Sequence, residues 1–214
     1  MLFPALLARA AAALTETGAA LWRILRDAAG FVVARAALHQ WEEPCISGQH
    51  GSGTVFFSGC SLRCVYCQNQ QISLGRYGAL VTEENLLRMF DRLIEQGAHN
   101  LNLVNPTHYA PMLAKALKKY CSPVPVIYNS GGYERVEMLK ALEGLVDIYL
   151  PDLKYVDSAV SLRYSGAADY FDYASKAILE MSRQVGKATF DENGVMKKAD
   201  RPTFDPAAQY GAID

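Results

Sequence analysis

The chain has 214 residues, 21 of them lysine or arginine against 22 aspartates and glutamates, and half of it is hydrophobic. Its length fits one domain of ordinary size, its composition excludes wholesale disorder, and its charge balance argues against the concentrated basic face that a nucleic-acid partner selects. Residues 1–14 are apolar and alanine-rich, but no basic stretch precedes them and Arg9 interrupts the run. They suit an amphipathic helix better than a signal peptide or a membrane span, which takes about 20 apolar residues. A cytoplasmic protein with no membrane partner is the simplest expectation.

Residues 2–29 read as helix and the β-branched start of 31–38 as a strand, so that residues 1–40 make a helical N-terminal extension. A loop rich in Gly, Ser and Pro follows from Trp41 to Gly53, and 54–58 reads as a buried strand. Thr82 suits an N-cap, with Glu83 and Glu84 beside the positive helix end, and the helix stops at Gly97. Residues 101–104 predict a strand, and Pro111 opens a helix that ends near Tyr120. A strand over 124–128, a helix over 133–143, a strand over 146–150 and a helix over 170–184 continue the pattern. After Gly186 the apolar periodicity stops, so residues 187–214 read as an irregular tail with room for a hairpin at Glu192–Gly194. The core is then 41–186, an α/β unit.

Short strands alternating with helices imply a parallel sheet, whose ligands gather at the carboxyl ends of the strands. Cys60, Asn105, Asn129, Ser130 and Asp152 all fall at such ends.

The five cysteines are Cys45, Cys60, Cys64, Cys67 and Cys121. An odd number with three crowded together does not suit a disulfide framework and reads as metal ligation in a reducing compartment. Cys60-Ser-Leu-Arg-Cys64-Val-Tyr-Cys67 offers three local thiolates, whereas cubic iron–sulfur clusters usually take four. Three ligands leave one iron open to bind a small molecule, as catalysis requires. Two other readings stand beside this one: a zinc site completed by His50, Cys45 or Cys121, and an electron-transfer cluster with a distant fourth cysteine.

That spacing, with an aromatic residue before the last cysteine, resembles the radical S-adenosylmethionine superfamily. The resemblance implies a 4Fe-4S cluster on Cys60, Cys64 and Cys67, whose open iron is chelated by S-adenosylmethionine. Reductive cleavage then yields a 5′-deoxyadenosyl radical that abstracts hydrogen from a substrate. Tyr66 would lie against the adenine. The run GTVFFSGCSLRCVYCQNQQIS (Gly53–Ser73) is similar to the activating enzymes of glycyl-radical enzymes such as pyruvate formate-lyase. Trp41-Glu-Glu-Pro44, Ile46-Ser-Gly48 and Asn105-Pro-Thr-His108 fit an activase-like branch, and Asp152-Leu-Lys154 matches a strand-end motif of the activases.

The likeness implies a partial (β/α)6 barrel, with Asp152 and Lys154 bordering the cofactor. It also implies a monovalent cation held by Asn129, Ser130, the Leu150 carbonyl and Asp152, a flavodoxin or ferredoxin as electron donor, and a glycine on a partner enzyme as target. Asn129 stands where an aspartate is more usual. Asn105-Pro106-Thr107 stands where a Gly-Gly-Glu turn usually grips the amino group of S-adenosylmethionine, and its amide and hydroxyl oxygens can accept from an ammonium. Gly131-Gly132 reads as a turn. Family members continue with further strands, so an incomplete barrel of about four strands, with an exposed edge, is expected here. The alternative function is a non-catalytic iron–sulfur or zinc-binding protein derived from such a truncated barrel.

Other candidates weigh less. Gly48–Gly53 lacks the following helix that a phosphate loop needs. Glu42 and Glu43 suit solvated charge, and His108 and Tyr109 either touch substrate or pack. Cys121 reads as an inert apolar side chain, and Cys45 as either that or a redox partner of the cluster.

Overall fold

The structure is a computed structural model that describes residues 30–75 and 77–200. The helix expected over 2–29 and the end of the tail lie outside them. β1 (Phe31–His39) and β2 (Ser52–Phe57) pair antiparallel, joined through the short helix α1 (Pro44–Ser47). The strand assigned to the N-terminal extension is thus a member of the central sheet, and the expected loop over 41–53 contains α1. After the cysteine motif come α2 (Gln70–Ser73) and β3 (Ala79–Val81), which pairs with β1. The repeating part then runs α3 (Glu83–Glu95), β4 (Leu101–Val104), α4 (Ala110–Lys119), β5 (Val126–Ser130), α5 (Val136–Lys140) and β6 (Ile148–Pro151). α6 (Ser158–Ser165), α7 (Tyr170–Val185) and the hairpin of β7 (Lys187–Phe190) and β8 (Met196–Asp200) close the described chain.

The sheet order is β3-β1-β2-β4-β5-β6, and β2, β4, β5 and β6 are mutually parallel. This is the mixed α/β architecture expected, with a mostly parallel sheet compatible with a partial barrel. No helix among the described residues is long and apolar enough to cross a membrane.

The local rules explain most boundaries. Thr82 caps α3 by accepting from the Asn85 amide, and Arg92 sits in the last turn. β5 starts two residues later than the apolar run suggests, because Pro123 and Pro125 have no N–H to give a ladder, and pairing begins with the Pro125 carbonyl accepting from Leu101. Asn129 and Ser130 therefore end the strand instead of following it. The expected helix over 133–143 shrinks to α5, since Gly144 takes φ 76° and the chain before it tightens into i→i+3 bonds.

One face of the sheet packs under α3 and α4. Val55, Phe57, Leu101 and Leu103 meet Leu86, Phe90, Leu113 and Leu117 there, each worth about 1.5–3 kcal/mol of burial. Alternation turns Thr54, Phe56, Asn102 and Val104 to the other, inner face. At the amino ends of the strands Ile46 of α1 fills that face against Ile127 and Ile148, held by Asn100, whose amide donates to the Ile46 carbonyl at 2.7 Å. Met196 of β8 packs onto the same cluster. The segment from 187 is thus an ordered hairpin up to 200, with its turn at the expected Glu192–Gly194, in place of an irregular tail, and β6 is an edge strand of the main sheet.

Candidate active site

The cysteine motif leaves β2 at its carboxyl end. Gly59 turns the chain with φ 94°, a conformation a side chain would strain, and its amide donates to the Ile72 carbonyl at 2.8 Å. The motif then rests on the end of α6: the Arg63 amide donates to the Ser165 carbonyl at 3.2 Å and the Val65 amide to the Tyr164 carbonyl at 2.9 Å. Leu62 anchors it below, in a small apolar cluster with Tyr155, Ala167, Tyr170 and Ala174.

Cys60, Cys64 and Cys67 line one cavity of about 450 Å³. Tyr66, Asn105, Asn129, Ser130, Asp152 and Lys154 line the same cavity. Six of the seven residues expected to meet a cofactor are thus brought together with the cysteines, from four different strand ends. Thr107 is the exception. It faces an adjoining cavity of about 690 Å³, whose wall also includes Cys60, His108, Tyr133 and Glu134.

Burial pushes the Cys60 thiol up to about 11, against a hydrogen bond from the Leu62 amide at 3.4 Å. A metal centre that bound this sulfur would displace the proton and neutralise the buried thiolate. Among the described residues no three His, Cys, Asp or Glu side chains converge on a point fit for one metal ion. A zinc ion would demand that convergence, at about 2.0–2.3 Å from each ligand. The three cysteines line one cavity without meeting at a point, an arrangement that leaves room for a cube taking one thiolate at each of three corners. Cys45, His50 and Cys121, the proposed completers of a zinc site, all stand near the amino ends of the strands. Cys45 packs with Ile46 and Ile127, His50 meets His99 before β4, and Cys121 precedes β5. They stand toward the opposite end of the sheet from the motif.

Lys154 Nζ donates to Asp152 Oδ2 at 2.5 Å, so the strand-end ion pair exists and also borders the cavity. Neighbouring charge holds Lys154 above its ordinary value against the burial that would lower it, Asp152 contributing most and Cys64 and Cys60 adding to it. Asp152 spends a carboxylate oxygen on this lysine, and Ser130 Oγ accepts from the Gly132 amide at 3.3 Å. The described residues thus lend the expected cation no support beyond their oxygen atoms. Asn105 adopts φ 58°, a conformation asparagine tolerates better than most residues. Its side-chain amide donates to the Gly59 carbonyl, tying the turn after β4 to the motif.

The sequence reading missed Glu134. Only 2% exposed, its carboxyl accepts from the Thr107 hydroxyl at 2.5 Å and from the Tyr128 hydroxyl at 3.3 Å. Burial raises it to about 7, opposed by those hydrogen bonds and one from Ser130. A carboxyl therefore stands directly behind the Asn105–Thr107 turn that lacks one of its own. The available signal was Gly131-Gly132: an added Cβ at Gly132 would lie 2.3 Å from the Asp152 carbonyl, so the turn is pressed against the end of β6. His108, open between substrate and packing, gives Nε2–H to the Ser58 carbonyl at 2.8 Å and also lines the larger cavity. Tyr109 packs: its ring meets Phe31 and Phe57, and its hydroxyl accepts from the Val32 amide at 2.9 Å.

Comparison with known proteins agrees with this geometry. Residues 54–198 match the family model described as the Radical SAM superfamily. The chain is also 32% identical over 143 residues to an uncharacterized protein of Methanocaldococcus jannaschii, a match that takes in 63% of this chain and 41% of that one. The chain thus spans about two fifths of that relative's length. From the strand before the cysteine motif to the final hairpin, the chain belongs to the radical SAM superfamily.

Proposed function

We propose that the protein cleaves S-adenosylmethionine reductively at a 4Fe-4S cluster held by Cys60, Cys64 and Cys67, and that the resulting radical abstracts hydrogen from an activase-type substrate, a glycine of a partner enzyme. The observation that carries this reading is the common wall. Three thiols, a lysine–aspartate pair and three polar strand-end side chains share one cavity at the carboxyl ends of parallel strands, the place where this architecture collects ligands. When bound, the cluster supplies the electron that breaks the sulfonium C–S bond and an open iron for the methionyl moiety.

The chain's own residues do the rest. Lys154 offers a compact positive charge to a carboxylate, and Asp152 holds it in place through their ion pair. Tyr66, 53% exposed, presents an aromatic ring at the cavity wall that suits the adenine. Asn105 and Asn129 offer amide oxygens to an ammonium group, and Ser130 a hydroxyl. Thr107 gives its proton to Glu134, which leaves its oxygen an acceptor backed by a carboxyl. The electron donor in this reading is a flavodoxin or ferredoxin. The rival zinc-binding reading has its completing ligands toward the other end of the sheet.

The test is anaerobic reconstitution with iron and sulfide, reduction, addition of S-adenosylmethionine and assay for 5′-deoxyadenosine. The expected result is one 4Fe-4S cluster per chain and production of the nucleoside, with both lost in Cys60→Ala. Cluster-loaded, reduced protein that makes no 5′-deoxyadenosine would refute the proposal.

A further inference from the structure

Beneath the cysteine motif lies a row of hydroxyl groups that cofactor binding does not require. Tyr66 Oη lies 2.5 Å from Tyr155 Oη, Tyr155 Oη lies 2.6 Å from Ser165 Oγ, and Ser165 Oγ donates to Cys64 Sγ at 2.9 Å. A serine has one proton to give. Since Ser165 gives its proton to sulfur, it must accept from Tyr155, and Tyr155 in turn must accept from Tyr66. The row therefore has one direction, from the exposed ring in the cavity wall to the sulfur of Cys64.

Two features make this arrangement specific. Ser165 is 3% exposed and Tyr155 9%, so water does not compete for the hydroxyls and each bond polarises the next. Ser165 is also fixed as a donor. It closes α6, Gly166 ends the helix in the left-handed conformation, and the Ser165 carbonyl itself receives the Arg63 amide of the motif. The same residue grips the motif through its backbone and meets its middle sulfur through its side chain.

We infer that Ser165, backed by Tyr155 and Tyr66, is a positioning residue that sets the reduction potential of the cluster by hydrogen-bonding the Cys64 sulfur. The inference rests on the proposed cluster. A donor to a ligating sulfur stabilises the state with more negative charge, which is the reduced one, and so raises the potential. Because the row begins at Tyr66, a ligand that stacks on that ring also acts on the far end of the relay.

The experiment is a mediator-equilibrated redox titration of the reconstituted protein, following the reduced cluster by its paramagnetic resonance. Ser165→Ala is expected to move the midpoint to more negative potential with the cluster content unchanged. Tyr155→Phe, which keeps the serine but removes its donor, is expected to move it less and in the same direction. A Ser165→Ala midpoint equal to or above that of the wild type overturns the inference. If Ser165→Ala takes up no cluster, Tyr155→Phe decides, and an unshifted midpoint there overturns it equally. Wild-type protein that takes up no 4Fe-4S cluster removes the underlying function instead, which separates the two failures.

Discussion

Replacing Glu134 by glutamine should change how the fold responds to pH. The carboxyl is 2% exposed, and burial raises it from its ordinary 4.5 to about 7. Below pH 4.5 it is protonated in both the folded and the unfolded chain. As pH rises, the unfolded chain gives up this proton first, so stability falls until the folded carboxyl also ionises near 7. The gap of about 2.5 pH units, at about 1.4 kcal/mol each, amounts to about 3 kcal/mol. Glutamine has nearly the same shape and offers one oxygen and one NH2 where the protonated carboxyl offers one oxygen and one hydroxyl, but it cannot ionise. The variant should match the wild type near pH 4.5 and exceed it by about 3 kcal/mol above pH 7. Urea unfolding of the metal-free protein, run without oxygen at intervals from pH 4.5 to 8, measures this. Other titrating groups, such as the half-buried His108, affect both proteins alike, so the difference between the two curves isolates Glu134. Curves that stay parallel across the range would refute the reasoning.

Gly132→Ala should destabilise the protein by on the order of 2–3 kcal/mol, because φ is 74° and the new Cβ would meet the Asp152 carbonyl at 2.3 Å; thermal or urea unfolding reads it, and a loss under about 0.5 kcal/mol, the scale of an ordinary surface change, would show that the turn after β5 yields freely. Asn102→Leu should stabilise the fold by about 1–3 kcal/mol, since both polar side-chain atoms of this fully buried residue lack a hydrogen-bond partner among the described residues; a lower denaturation midpoint in urea would contradict this.

The cysteine spacing, the strand–helix alternation and the placement of Asn105, Asn129, Ser130, Asp152 and Lys154 at strand ends could all be read along the chain, because each depends on residues within a turn or two of one another. A cap such as Thr82 reaches only to Asn85. α6 escaped that reading although Asp157 caps it and Gly166 ends it. Its buried face carries Ser161 and Ser165 while Val160 and Leu162 point outward, the reverse of the stripe that betrays a packed helix. Of the tail only the turn at Glu192–Gly194 was legible, because Val195 and Met196 find apolar partners only once the sheet exists.

What the sequence by itself determined is the set of candidate ligands and the mostly parallel α/β architecture that presents them. Only the tertiary structure decided which polar groups back that set. Glu134 lies behind Thr107 across 27 positions, and Ser165 reaches Cys64 across 101. The value of each contact comes from exclusion of water. Burial turns an ordinary carboxyl into one that titrates near neutrality and an ordinary serine into a fixed donor, and burial belongs to the packed molecule as a whole.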